Sequence, residues 1–226
     1  SLYHAIFISN VETGETKQVT DGLADSVWPV WDASGKYLWF LASTDFGLKS
    51  QWLDMSSYDH DENFGLYLAI LKKGEPSPLL PESDEDPGIS AAPQGAGGNG
   101  ARGPRGGAAP QDAGGDQAAA PRPQRPAANV DIDFDGIQQR IIAVPGVPER
   151  GYSQLRAGAA GTVFYLEPAG GRSGGGAGQA GPPPGNTLNR YRISDRRGGA
   201  FVSGVAAYEV SADGRFIAYR TLATDI

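Results

Sequence analysis

Apolar and polar residues alternate in short runs along this chain, and the runs come in pairs separated by turn residues. Tyr3 to Ile8 is apolar, β-branched and aromatic, the turn Glu12-Thr13-Gly14-Glu15 follows, and Thr16 to Thr20 alternates polar with apolar. Two such runs joined at a glycine predict a β-hairpin. The pattern recurs at Gly65–Leu71, Lys72-Lys73-Gly74-Glu75 and Ser77–Leu80, and again at Leu188–Ile193, Ser194-Asp195-Arg196-Arg197 and Ala200–Val202. No window sustains the 3.6-residue apolar period of a helix, and Trp52–Tyr58 offers one helical turn at most.

A second, more aromatic hairpin is interleaved with the first. Val30-Trp31-Asp32-Ala33-Ser34-Gly35-Lys36-Tyr37-Leu38-Trp39-Phe40 reads as strand, tight turn, strand. Glu209-Val210-Ser211-Ala212-Asp213-Gly214-Arg215-Phe216-Ile217-Ala218-Tyr219 matches it position for position, and Gly161-Thr162-Val163-Phe164-Tyr165-Leu166 is a degenerate third copy. The glycine of each Ser-Gly or Asp-Gly pair supplies the positive φ that a tight reversal needs. Two hairpins make a four-stranded antiparallel sheet, and such sheets in series are propeller blades. The fold expected is therefore all-β, a partial β-propeller. A β-sandwich is the alternative, but it has no reason to repeat the same turn chemistry.

Composition changes this picture by adding two insertions. The stretches 83–128 and 168–186 concentrate the glycine, proline and alanine of a chain with 33 glycines and 17 prolines in 226 residues. They have no apolar periodicity on which to fold, and the expectation is disordered loops between strands. The roughly 160 residues left make about four blades at ~40–45 residues each. The division expected is blades over 1–82, an insertion over 83–128, a blade over 129–167, an insertion over 168–186, and the strands of a truncated blade over 187–226. The chain opens at Ser1 and closes at Asp225-Ile226 straight after a strand-like run, so it reads as a piece of a longer polypeptide.

Charge and cysteine content narrow the chemistry. With no cysteine, the chain has no disulfide framework, thiol nucleophile or cysteine-ligated metal. A net charge of −7 argues against a nucleic-acid partner, and the Arg-Gly steps of the first insertion are outnumbered by its acids Asp84, Glu85, Asp86, Asp112 and Asp116. No apolar run approaches the ~18–20 residues that span a bilayer, and no charged-then-apolar leader is evident, so no membrane partner is expected.

Several catalytic signatures occur by pattern and fail on context. Gly95, Gly97 and Gly100, and likewise Gly176, Gly178 and Gly181, fit a dinucleotide-binding spacing, but no helix follows either set. Ser173, in Gly171-Arg172-Ser173-Gly174-Gly175, fits a nucleophile elbow, yet the two histidines, His4 and His60, both precede it. Asp131, Asp133, Asp135 and Gly136 imitate the start of a calcium loop whose twelfth position is Ile142 where a glutamate is required. The alternation of Ile132 and Phe134 with these acids predicts instead a strand with one acidic face. Asp59-His60-Asp61-Glu62 is the one local cluster with metal-ligand chemistry, in an interstrand loop where such runs are normally solvated. A carboxylate pair for acid–base work cannot be named, and no catalytic, cofactor-binding or metal-ligating residue is assigned.

Beyond the pattern, Trp28-Pro29-Val30-Trp31-Asp32-Ala33-Ser34-Gly35-Lys36-Tyr37-Leu38-Trp39-Phe40-Leu41 resembles the repeat of TolB-like propellers. Leu41-Ala42-Ser43-Thr44-Asp45, Trp52-Leu53-Asp54-Met55-Ser56-Ser57-Tyr58, Pro76-Ser77-Pro78-Leu79 with Pro81-Glu82-Ser83-Asp84-Glu85, and Ile132-Asp133-Phe134-Asp135-Gly136-Ile137-Gln138-Gln139-Arg140-Ile141 resemble the propeller region of the bacterial tricorn protease family. Val202-Ser203-Gly204-Val205 running into Val210-Ser211-Ala212-Asp213-Gly214 fits the same family. That resemblance implies a large serine protease with two propellers, a PDZ domain and a C-terminal catalytic region, acting on short peptides as a hexamer. No position here matches the family's catalytic motifs. The resemblance implies a module of the second propeller that gates or guides peptides to a catalytic domain outside this chain, with the PDZ and protease domains of the same polypeptide as partners. Tricorn-like enzymes imply the cytoplasm, TolB-like propellers the periplasm. The rival readings are a TolB-like protein-binding scaffold with no enzyme attached, and the propeller of a prolyl-oligopeptidase-type enzyme.

Overall fold

The computed structural model describes residues 3–45, 62–80, 129–168 and 185–221. Both insertions lie mostly outside these residues, as do Trp52–Tyr58 and Asp59, His60 and Asp61. The described residues form three antiparallel sheets in chain order. The first pairs β1 (Phe7–Ser9) with β2 (Thr16–Gln18). The second runs β3 (Asp25–Trp31), β4 (Tyr37–Ser43), β5 (Gly65–Ile70) and β6 (Ile141–Ala143). The third runs β7 (Ser153–Ala157), β8 (Thr162–Glu167), β9 (Asn186–Arg192), β10 (Arg197–Val210) and β11 (Ile217–Thr221).

The third sheet is one blade plus the opening hairpin of the next. The first half of β10 pairs with β9 and its second half, from Val205, pairs with β11. The sequence ends one hairpin at Val202 and opens the next at Glu209. The backbone instead runs through as one strand with shifts of register, and Gly204 takes φ 78° there. The chain is thus the last two strands of one blade, two complete blades and the first hairpin of another, the partial β-propeller expected.

Each pair of neighbouring sheets encloses its own apolar cluster. Ile6 and Val19 meet Leu38, Phe40, Ala69 and Leu71 between the first two sheets. Trp39, Leu41, Leu66 and Leu68 meet Leu155, Val163, Tyr165 and Tyr191 between the second and third. Phe164, Leu166 and Leu188 meet Val205 and Tyr208 where the last hairpin folds over its blade. Strand β4 serves two clusters, Leu38 and Phe40 facing one way and Trp39 and Leu41 the other. A middle strand buried on both faces reads as an unbroken apolar run, and Leu38 to Leu41 is one.

Two expectations are overturned. Ser77–Leu80 forms no strand, and the partner of β5 is β6, reached only after the first insertion. Pro76 and Pro78 lack the N–H groups that a ladder requires, whereas Ile141, Ile142 and Ala143 supply three. The turn before it does form, with Gly74 at φ 82°. Residues 130–134 form no strand either. They run extended beside the sheet, Asp133 N–H donating to Leu71 O at 3.0 Å, and then turn through Gly136 (φ 65°) into a 3-10 turn over Ile137–Arg140. The Arg140 guanidinium fastens this segment by donating to the carbonyls of Ile70, Leu71, Asp133 and Asp135.

Candidate functional site

The first strands of the two complete blades, β3 and β7, are edge strands of their sheets and lie side by side, and β7 also meets β10. In a propeller this row is the inner wall, the face turned towards the central channel. The blades are braced along it. His4 O accepts Ser26 N–H at 2.9 Å, and Phe64 pairs with Arg150 across the next junction.

The wall is bulged at the same place in two blades. In β3, Val27 pairs with Leu41 and Val30 with Trp39, so Trp28 and Pro29 together stand opposite Phe40 alone. In β7, Ser153 pairs with Leu166 and Arg156 with Phe164, so Gln154 and Leu155 stand opposite Tyr165. Trp28 has φ 56° and Gln154 φ 52°, the left-handed region, where a side chain costs about 1–3 kcal/mol. Bulges of this kind re-aim side chains. Trp28 is 41 % exposed and Trp31 43 %. On the wall beyond them Arg156 and Glu209 pair at 3.5 Å.

Two side chains lock the blades behind this wall. Asp32, buried, accepts from Ser34 N–H (2.9 Å), Ser34 Oγ–H (2.5 Å) and Trp39 Nε1–H (3.1 Å) within its own blade. Its second oxygen also accepts Gly161 N–H of the next blade at 2.8 Å. The Tyr208 hydroxyl sits against the Gln154 carbonyl, on the bulge itself, and the Phe164 carbonyl at 2.8 Å. Burial pushes the Tyr208 and Tyr165 phenols far above their usual range, and those of Tyr152 and Tyr191 up to about 12. The buried Tyr191 hydroxyl has no hydrogen-bond partner among the described residues, whereas those of Tyr152 and Tyr208 donate to backbone carbonyls.

In the third sheet a groove of about 440 Å³ opens between β8–β9 and β11, lined by Phe164, Arg190, Arg192, Phe201, Arg215 and Tyr219 among others. Arg190 stacks over the Phe201 ring at 5.4 Å. Among the described residues that line it there is no carboxylate, and one of its arginines, Arg192, pairs with Asp195 at 3.8 Å.

The residues singled out in the sequence do not assemble into a reactive centre. Asp131 pairs with Lys72 at 3.0 Å, Asp133 accepts Lys73 N–H at 2.8 Å, and Asp135 lies 3.6 Å from Lys73. These acids face the lysine turn rather than one another. His4 N–H and Nδ1 both meet Asp25 Oδ1, at 2.7 and 2.6 Å, which ties the N-terminal segment to β3. Among the described residues no three His, Asp or Glu side chains converge closely enough to hold a metal ion. Both glycine triads and Ser173 lie outside the described residues, and of Asp59-His60-Asp61-Glu62 only Glu62 is described. The left-handed bulges at Trp28 and Gln154 were not legible in the sequence. Their one signal, an uncharged Trp-Pro pair inside a strand, marks the bulge in β3 and has no counterpart in β7.

No protein-family model matches the chain, and no curated protein matches it in sequence. Among solved structures, the crystal structure of the tricorn protease is similar, with a TM-score of 0.54 at 14 % identity. The similarity covers 96 % of this chain and 17 % of that one. At that identity the likeness is one of fold: the chain is a propeller segment distantly related in architecture to part of a much longer protein.

Proposed function

We propose that this chain is the propeller portion of a tricorn-like serine protease, guiding extended peptides to a catalytic domain outside the sequence and turning folded proteins away. The observation that carries this reading is the breadth of the fold likeness, which takes in 96 % of the chain and 17 % of the tricorn protease chain. A propeller channel selects by width: an extended strand enters where a folded domain does not. In this reading the bond-breaking groups belong to that catalytic domain. Its partners in this reading are peptides, the PDZ and protease domains of the same polypeptide, and further copies in a hexamer, in the cytoplasm. The second reading, a TolB-like scaffold holding a protein partner, draws on the three copies of the aromatic hairpin turn at Gly35, Gly161 and Gly214, which take φ 74°, 72° and 68°.

The test compares the parent polypeptide with a form lacking residues 1–226. Hydrolysis of a dipeptide-sized chromogenic substrate reports whether the shortened form is folded. Loss of discrimination between unfolded and folded protein substrates is the expected result. Unchanged discrimination in an active shortened form contradicts the gating role and leaves the scaffold.

A further inference from the structure

Strand β6 meets β5 over a short ladder, Tyr67 with Ala143, Leu68 with Ile142 and Ala69 with Ile141. The whole first insertion lies between the two strands, and a loop of that length costs entropy to close. The closing contacts sit at its neck, where residues 70–80 leave β5 and residues 129–140 return to β6. Leu71 O accepts Asp133 N–H at 3.0 Å, and the Asp133 carboxylate accepts Lys73 N–H at 2.8 Å. Lys72 pairs with Asp131 at 3.0 Å and Lys73 with Asp135 at 3.6 Å, but these side chains are exposed and such pairs hold little. Arg140 is different in kind. Its guanidinium donates to two carbonyls on each side of the neck: Ile70 at 3.0 Å and Leu71 at 3.4 Å where the chain leaves, Asp135 at 2.8 Å and Asp133 where it returns. Arg140 stands 70 residues on from Ile70 and leads directly into β6. Ile137, three residues before it, is buried in the cluster between the first two sheets, and Ile132 packs on the same cluster.

We infer that Arg140 is a clamp that closes the neck of the first insertion, so that β5 pairs with β6 whatever polypeptide lies between residues 83 and 128. The residue type follows from the task. A guanidinium presents its N–H donors in a rigid planar fork and can bridge several carbonyls at once, whereas a lysine ammonium is a point charge on a flexible stem. With the neck fastened by residues 70–73 and 131–140 alone, the blade β3–β6 is complete without the insertion. Residues 83–128 are then an appendage at a permissive point of the ring, free to change in length and composition without disturbing the sheets. This holds for a protease propeller and for a binding scaffold alike.

The test is amide hydrogen exchange, read by mass spectrometry on the full-length protein, over Gly65–Ile70 and Ile141–Val144, with β8 and β9 as the internal reference. One variant replaces residues 83–128 by a Gly-Ser linker of about twelve residues, which spans roughly 20 Å. The others are Arg140→Ala and Arg140→Lys. Exchange at β5 and β6 is expected to stay within about twofold of wild type in the shortened variant and to quicken about tenfold or more in both Arg140 variants, with β8 and β9 unchanged. Combining Arg140→Ala with the short linker restores part of the protection, because the linker keeps the two strands close. Loss of protection in the shortened variant overturns the inference and makes the insertion a structural part of the blade. Wild-type exchange in Arg140→Ala overturns it as well, and wild-type exchange in Arg140→Lys shows that charge alone suffices and that there is no fork-shaped clamp. Faster exchange that extends to β8 and β9 in both Arg140 variants also contradicts a local clamp.

Discussion

Asp32 shows how much one carboxylate can hold. Four donors converge on it, and one of them, Gly161 N–H, is 129 residues away in the next blade. Asp32→Ala leaves the buried Trp39 indole N–H and the part-buried Gly161 N–H without an acceptor, at up to about 1–3 kcal/mol each. The expected outcome is a loss of about 3 kcal/mol or more in urea denaturation, with a lower midpoint and an unchanged slope. Asp32→Asn keeps the shape and one oxygen and should lose less. Gly214→Ala tests the turn at the same scale. Its φ of 68° is strained for any side chain, and a Cβ would stand 2.5 Å from the Gly158 carbonyl carbon. It should cost about 2 kcal/mol or more, while Gly199→Ala, which meets nothing within 4 Å, should change little. The turn role of both residues could be read from the D-A-S-G and S-A-D-G patterns. The reach of Asp32 to Gly161 could not, because nothing local to either turn encodes which blade comes to rest on it.

Between elements, the last seam is closed by Tyr208 and the middle one contains Tyr191, and the two predict opposite results. Tyr208→Phe removes the one hydroxyl proton shared between the Gln154 and Phe164 carbonyls and should destabilise by about 1–3 kcal/mol. Tyr191→Phe removes a buried hydroxyl that has no partner among the described residues and should be neutral or stabilising by up to about 1 kcal/mol. Thermal melting of the two variants side by side checks both. The hairpins that the sequence made legible are those whose two strands are close in the chain, β1–β2, β3–β4, β9–β10 and β10–β11. The pairing of β5 with β6 was not legible, because the partner arrives after an insertion and a nearer apolar run, Ser77–Leu80, looks equally suitable until the prolines beside it are weighed. Residues 130–134 misled for a related reason. Their alternation is real, with Ile132 packed on a core cluster and Asp131 and Asp133 on the lysines, but a single hydrogen bond to Leu71 is not a ladder.

Across the molecule, burial of phenols makes stability sensitive to alkali. Tyr152 and Tyr191 ionise in the folded chain only near 12, and Tyr165 and Tyr208 higher still, against 10.0 for an unburied tyrosine. Above pH 10 the unfolded chain releases these protons while the folded chain retains them, so unfolding becomes easier as pH rises. The contribution is fully present below pH 10 and is lost as pH rises above it, over pH 10 to 12 for Tyr152 and Tyr191 and further for Tyr165 and Tyr208, with the absorbance of these buried phenolates appearing together with unfolding. A smooth non-cooperative titration centred at pH 10 would contradict it. The repeated turns and two-faced apolar strands carried the propeller architecture from the sequence alone, since each blade is local and stacks only on its neighbours. No comparable pattern carries the function, because a channel wall is assembled from one strand of each blade.

The measurement that bears most directly on the proposed role is to read the coding sequence onward from Ile226. Further blade hairpins followed by a PDZ-like segment and a serine-protease region are expected, and they would make this chain a non-catalytic peptide guide. A stop codon soon after ring closure would contradict that role and leave a binding scaffold. An α/β-hydrolase domain with a G-x-S-x-G elbow and a later histidine would move the chain to the prolyl-oligopeptidase class instead.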